Sequence, residues 1–244
     1  LKFCRLLGAA APSPGAAPAM EPLTRGPASA AGGDAEVALR NVGALGAAAY
    51  FVGLAADCTW MRVACKPLPL LSLVALVLRA GGGTLLTALL FGATGDVLLE
   101  VNLFVPGLGC FLLGHVAYAV AFTVACPPGK RWTSQAWAQL APFVLYGCAV
   151  SAVLGDRLGG LALPVYAYLA VSVLFAWRCA VFAARQQGVG QLAGLASCIF
   201  LFSDSLIAVG KFVLPQEFPG QSVAVMVTYW LAQAGLVAAR LGGL

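Results

Sequence analysis

The chain has 244 residues, of which 61% are hydrophobic and only 9% charged, with a formal net charge of +5; an ordinary soluble domain carries roughly a quarter charged residues. Too little polar surface is present to cover a water-soluble globule. The basic residues are spread through loops and termini rather than gathered on one face, which excludes a nucleic-acid-binding domain.

A spanning helix needs about 20 mostly apolar residues, and the segment from Asn41 onward holds about eight of them with short connections. The predicted fold is therefore all-α, a polytopic integral membrane bundle of about eight transmembrane helices. Residues 1–38 are rich in Ala, Pro and Gly and are expected to be a disordered tail, leaving 39–244 as the eight-helix transmembrane catalytic domain. Met20 is the expected natural start. Pro12, Pro14 and Pro18 break the one candidate apolar leader, so no cleavable signal peptide is expected.

Helices are predicted at about 42–60, 67–79, 84–102, 104–125, 135–154, 161–183, 190–212 and 222–240. Gly and Pro supply the breaks: Pro67, Gly81 to Gly83, Pro106-Gly107, Pro127-Pro128-Gly129, Gly159-Gly160, Gly188 to Gly190 and residues 215–220. An even number of spans puts both ends on one side, together with Arg25, Arg40, Arg79, Lys130, Arg131, Arg185 and Arg240. Arg62, Lys66, Arg157 and Lys211 fall opposite, so the positive-inside rule assigns both termini to the cytosol.

Of the eight cysteines, Cys58, Cys110, Cys148, Cys179 and Cys198 lie in or beside apolar runs without metal-ligand spacing. They read as small apolar packing residues. His115 is the only histidine, which excludes a three-histidine zinc site; neither a metal nor a cofactor is expected. Soluble-hydrolase signatures are missing too, with no G-x-S-x-G elbow, no G-K-[ST] phosphate loop and no H-E-x-x-H. If the chain is an enzyme, carboxylates do the work.

A charged side chain near the bilayer centre costs at least about 2.5 kcal/mol, so intramembrane ionisable residues are functional candidates. Here they are Asp96 and Glu100 in the third predicted helix, His115 in the fourth, Arg178 in the sixth and Asp204 in the seventh, with Asp57, Lys66 and Lys211 nearer helix ends. Asp96 and Asp204 each follow a small residue, Gly95 or Ser203, in a shared small-Asp-x-Leu pattern that hints at a parallel internal repeat. Both helices run the same way, each Asp is about 20 Å along its helix at 1.5 Å per residue, and the two carboxyls are expected at matching depth on neighbouring helices facing one cavity. The structural alternative is that each merely pairs with Arg178 or Lys211. Lys66 reads either as a snorkelling anchor or as a phosphate ligand, Glu100 as a site member or an interface residue, and His115 as a packing residue or a catalyst. Tyr229 and Gln233, one turn apart, present polar tips along one face of the last helix, either to a site or to a neighbouring helix.

Taken in order, Lys66-Pro67, Gly95-Asp96, His115 with Tyr118, Arg178, Phe202-Ser203-Asp204, and Tyr229 with Gln233 resemble the YhhN-type lysoplasmalogenase family over about residues 42–240. The resemblance implies an eight-helix enzyme of the endoplasmic reticulum membrane. It would hydrolyse the vinyl ether bond of a lysophospholipid substrate, giving a fatty aldehyde and glycerophosphocholine or glycerophosphoethanolamine. It further implies Asp96 and Asp204 as the catalytic pair, with Lys66, Glu100, His115, Arg178, Tyr229 and Gln233 around the substrate and with Lys66 and Arg178 bordering the cavity. The partners expected are the substrate lipid and the bilayer, and homo-oligomerisation is left open. The competing reading is a proton-coupled transporter, because buried Asp, His and Arg also build proton relays.

Overall fold

A computed structural model describes residues 30–216 and 218–243, and every element in it is helical. The predicted tail lies outside the described residues as far as position 29. The first helix, α1 (Ala30–Ala55), begins earlier than position 42: alanine, the strongest helix former, dominates the segment before it. After it come α2 (Thr59–Cys65), α3 (Leu68–Arg79), α4 (Thr84–Glu100), α5 (Phe104–Ala125), α6 (Ser134–Ala138), α7 (Ala141–Leu154), α8 (Ala162–Ala183), α9 (Leu192–Phe212) and α10 (Gln221–Leu241).

Two short helices depart from the sequence expectation. The chain leaves α1 through Asp57 at φ +49° and re-forms a separate helix of about two turns as α2, which buries no side chain. The helix expected at 135–154 is broken between α6 and α7, where Pro142 sits in the first turn of α7; proline donates no backbone N–H and therefore starts a helix instead of continuing one. Thr133 closes the front of α6 by accepting from the Ala136 N–H at 3.1 Å. The α3–α4 turn runs through Gly81, Gly82 and Gly83, all at positive φ, a conformation glycine adopts without steric cost.

Among the described residues, six stretches are long and apolar enough to cross a membrane: 33–55, 59–79, 104–125, 134–183, 188–212 and 221–241. The difference from the expected eight has two sources. α4 is only 17 residues long, and α7 and α8 fall within one 50-residue stretch. Large apolar side chains such as Leu45, Leu145, Leu163, Leu195 and Leu231 stand outward and exposed, which suits a lipid surrounding and not water. The exposed indoles of Trp60 at one end, and Trp132 and Trp137 at the other, occupy the levels where aromatic rings favour the membrane interface. The chain is a multi-pass membrane protein.

Inside, α8 is the central helix, packed against α5 on one side and α7 and α9 on others; α4 packs chiefly on α5, and α10 on α9. α4 and α9 thus have different main partners and are not the adjacent pair that matching depth had suggested. Both nevertheless line one internal space.

Candidate active site

That space is a cavity with an empty volume of about 920 Å³ including its mouth, walled by α4, α5, α7, α8, α9 and α10. Its surface is mostly aliphatic and aromatic, and Asp96 and Asp204 both face it. Asp96 is 2% exposed. Each carboxylate has its own phenol: Tyr229 on α10 donates to Asp96 Oδ2 at 3.2 Å, and Tyr168 on α8 donates to Asp204 Oδ2 at 2.8 Å. Among the described residues no hydrogen bond joins the two acids, which reach the cavity from separate helices, α4 and α9.

Local sequence makes these approaches possible. A Cβ on Gly92, one turn before Asp96, would sit 3.1 Å from Tyr229 Oη and 2.9 Å from Leu70 Cδ2; a Cβ on Gly95 would meet the Phe111 ring at 2.7 Å. The first glycine lets the phenol reach its carboxylate, and the second lets Phe111 form the cavity wall. On the other wall, Ser203 Oγ donates to the Val225 carbonyl at 3.0 Å and locks α9 to α10 beside Asp204.

Beyond Asp96 the cavity meets a polar vestibule lined by Arg62, Lys66, Glu100, Lys211 and Gln221, with Tyr50 and Leu54 from the end of α1. Lys66, only 8% exposed, lines both spaces. Its Nζ donates to Glu100 Oε2 at 3.0 Å, while Arg62 Nε donates to Glu100 Oε1 at 2.7 Å. Glu100 follows Asp96 by four residues, so this ion cluster lies about one helical turn, roughly 6 Å, from the catalytic candidate.

Other candidates lie elsewhere. His115 is enclosed by aromatic rings, stacked on Phe175 at 4.7 Å and edge-on to Phe200. Its Nδ1 is 3.0 Å from Ser172 Oγ, and the same hydroxyl lies 2.9 Å from the Tyr168 carbonyl. Gln233 accepts from Tyr118, buried between α10 and α5. Arg178, expected to border the cavity, is at the far end of α8. There it donates to Thr123 Oγ1 at 2.8 Å and to the Arg131 carbonyl at 3.0 Å, between the Trp132 and Trp177 rings. Depth along a helix did not separate these places; the end of the bundle from which the cavity opens did.

Against this geometry, the model of the YhhN family matches residues 61–240. The chain belongs to the YhhN family. The matched region holds Lys66, Asp96, His115, Asp204, Tyr229 and Gln233 together with the cavity walls. Among curated relatives, the bovine lysoplasmalogenase TMEM86A is 29% identical over 72% of this chain and 76% of its own length. The human lysoplasmalogenase TMEM86B is 30% identical over 72% and 73%, and a lysoplasmalogenase of Mycobacterium bovis is 34% identical over 62% and 56%. No solved structure matches.

Within the YhhN match lie cavity residues that the sequence did not single out. Tyr168 holds Asp204, and Tyr146 on α7 donates to the Leu201 carbonyl at 2.7 Å while lining the same space. In an apolar helix a tyrosine is equally at home against lipid or in packing, and the sequence carries no signal that separates those settings from a carboxylate partner.

Proposed function

We propose that this protein is a lysoplasmalogenase, which hydrolyses the vinyl ether bond of alkenyl-glycerophosphocholine and alkenyl-glycerophosphoethanolamine to a fatty aldehyde and the glycerophospho-base. The observation that carries this reading is the pair of aspartates lining one largely apolar cavity from different helices, each with a phenol donor, in a chain whose family relatives bear that name. Apolar walls suit an alkenyl chain, and the cationic vestibule suits a phosphate.

The chemistry needs an acid and an anion. The π pair of the double bond takes a carboxylic proton onto the β-carbon, a lone pair of the ether oxygen moves onto the α-carbon, and an oxocarbenium ion forms. Water adds to its carbon and yields its proton to a carboxylate, giving a hemiacetal. The bond from that carbon to the glycerol oxygen then breaks as that oxygen is protonated, releasing aldehyde and alcohol. We assign the anion to Asp96, one turn from Glu100 and the Lys66 ammonium that Glu100 holds, and the acid to Asp204. The Tyr168 phenol occupies Asp204 Oδ2 and leaves Oδ1 to carry the proton toward substrate. Opposing carboxyls of this kind serve glycoside hydrolysis, whose transition state also has oxocarbenium character. We further place the protein in the endoplasmic reticulum membrane with both termini cytosolic, so that the vestibule opens on the lumenal side.

The test is purification in detergent, incubation with a panel of lysolipids and detection of aldehyde. Aldehyde release from alkenyl but not acyl lysolipids is the expected result. Failure to cleave any vinyl ether, with substrate-dependent proton flux in sealed vesicles, would overturn it in favour of a transporter.

A further inference from the structure

The vestibule has a charge balance of its own. Glu100 is shared between Arg62 and Lys66, and Asp57 on the rim accepts from Arg62 Nη1 at 2.9 Å. Among the described residues, three cations against two carboxylates leave one positive charge, and it resides on Lys211. Among the described residues the Lys211 ammonium has no acid partner; it stands 4.4 Å over the Phe104 ring. Lys211 is exposed, and the aromatic face under its ammonium holds the charge at the vestibule. Phe104 lines both the vestibule and the inner cavity, while Lys211 lines the vestibule. Across the vestibule, Gln221 is 5% exposed and its Oε1 has no hydrogen-bond partner.

We propose that the vestibule is a headgroup site for a glycerophosphodiester, with Lys211 and Lys66 holding the phosphate and Gln221 accepting from a hydroxyl or ammonium of the same headgroup. As a substrate subsite it rests on the hydrolase reading above. A phosphodiester carries one negative charge, which complements the single uncompensated cation. A monoester, with nearly two at neutral pH, would exceed it. The site also sets direction: with the phosphate at Lys211 and the ether oxygen a few bonds farther in, the double bond lies between the aspartates and the chain extends into the apolar arm around Leu154 and Val165. Lys211 is thus a specificity residue for the headgroup.

Wild type, Lys211→Gln and Lys211→Arg are purified as full chains and titrated with glycerophosphocholine while thermal unfolding is followed. Glycerophosphocholine should raise the unfolding temperature of wild type and Lys211→Arg, while Lys211→Gln should need about tenfold more, the loss expected for one charge-assisted hydrogen bond. In turnover, Lys211→Gln should raise KM for the lysoplasmalogen about tenfold, with far less effect on kcat. Discrimination against a phosphate-free alkenylglycerol should narrow by the same factor. Unchanged titration and unchanged KM in a folded Lys211→Gln overturn the headgroup site. Glycerophosphocholine binding that depends on Lys211, in a protein that cleaves no vinyl ether, would sink the hydrolase reading and leave the site standing.

Discussion

The Tyr168 hydroxyl on α8 reaches Asp204 Oδ2 on the next helix at 2.8 Å, and it fixes which oxygen of that carboxyl is turned toward the cavity. Tyr168→Phe keeps the ring and removes the proton donor. Aldehyde release should fall about tenfold, the scale of one hydrogen bond to a charged or reacting group, with no comparable loss of unfolding temperature. Full activity in Tyr168→Phe would show that the carboxyl is oriented by something else.

The aspartates themselves carry the larger expectation. Asp96→Asn and Asp204→Asn should each lower kcat by about 10² to 10⁴-fold, the range of general acid–base catalysis, in protein that still inserts and folds. On the proposed mechanism both acids serve one transition state, so the double variant should be little worse than either single one. Multiplicative losses would mean that the two carboxyls contribute independently.

Gly92 and Gly109 form a matched pair for a packing test. An added methyl at Gly92 would crowd Leu70 and Tyr229, whereas at Gly109 nothing lies within 4 Å. Gly92→Ala should cost about 1–3 kcal/mol of stability and depress turnover by pushing Tyr229 from Asp96; Gly109→Ala should do neither. Denaturation in detergent read alongside activity separates the two effects.

Arg178 belongs to the architecture of the far end. Arg178→Lys keeps a charge but loses the fork that joins Thr123 and the Arg131 carbonyl, and it should destabilise the bundle by about 1–3 kcal/mol. KM for lysoplasmalogen, measured on the folded fraction, should not move. A raised KM would return Arg178 to the substrate.

Much of this was legible in the sequence because charge in an apolar run is rare and costly, so Asp96, Asp204 and Lys66 declared themselves. Gly and Pro marked most helix ends for the same reason: their backbone preferences act locally. What the sequence left open was decided by tertiary position. Arg178 and His115 are as conspicuous as the aspartates in one dimension, yet α8 carries the first to the closed end of the bundle, and α5 turns the second into a nest of rings. Tyr168 was invisible because its significance comes entirely from the neighbouring helix. The break before α7 was written in Pro142, but an apolar run on both sides hid it.

Each carboxylate's phenol comes from the second half of the chain, while Asp96 comes from the first. Neither half alone therefore encodes a competent centre, whatever ancestry the small-Asp-x-Leu pattern records. A chain divided in the connection between α5 and α6 should give two silent fragments that regain turnover only when co-expressed in one membrane, making this protein a reporter for the assembly of its own halves.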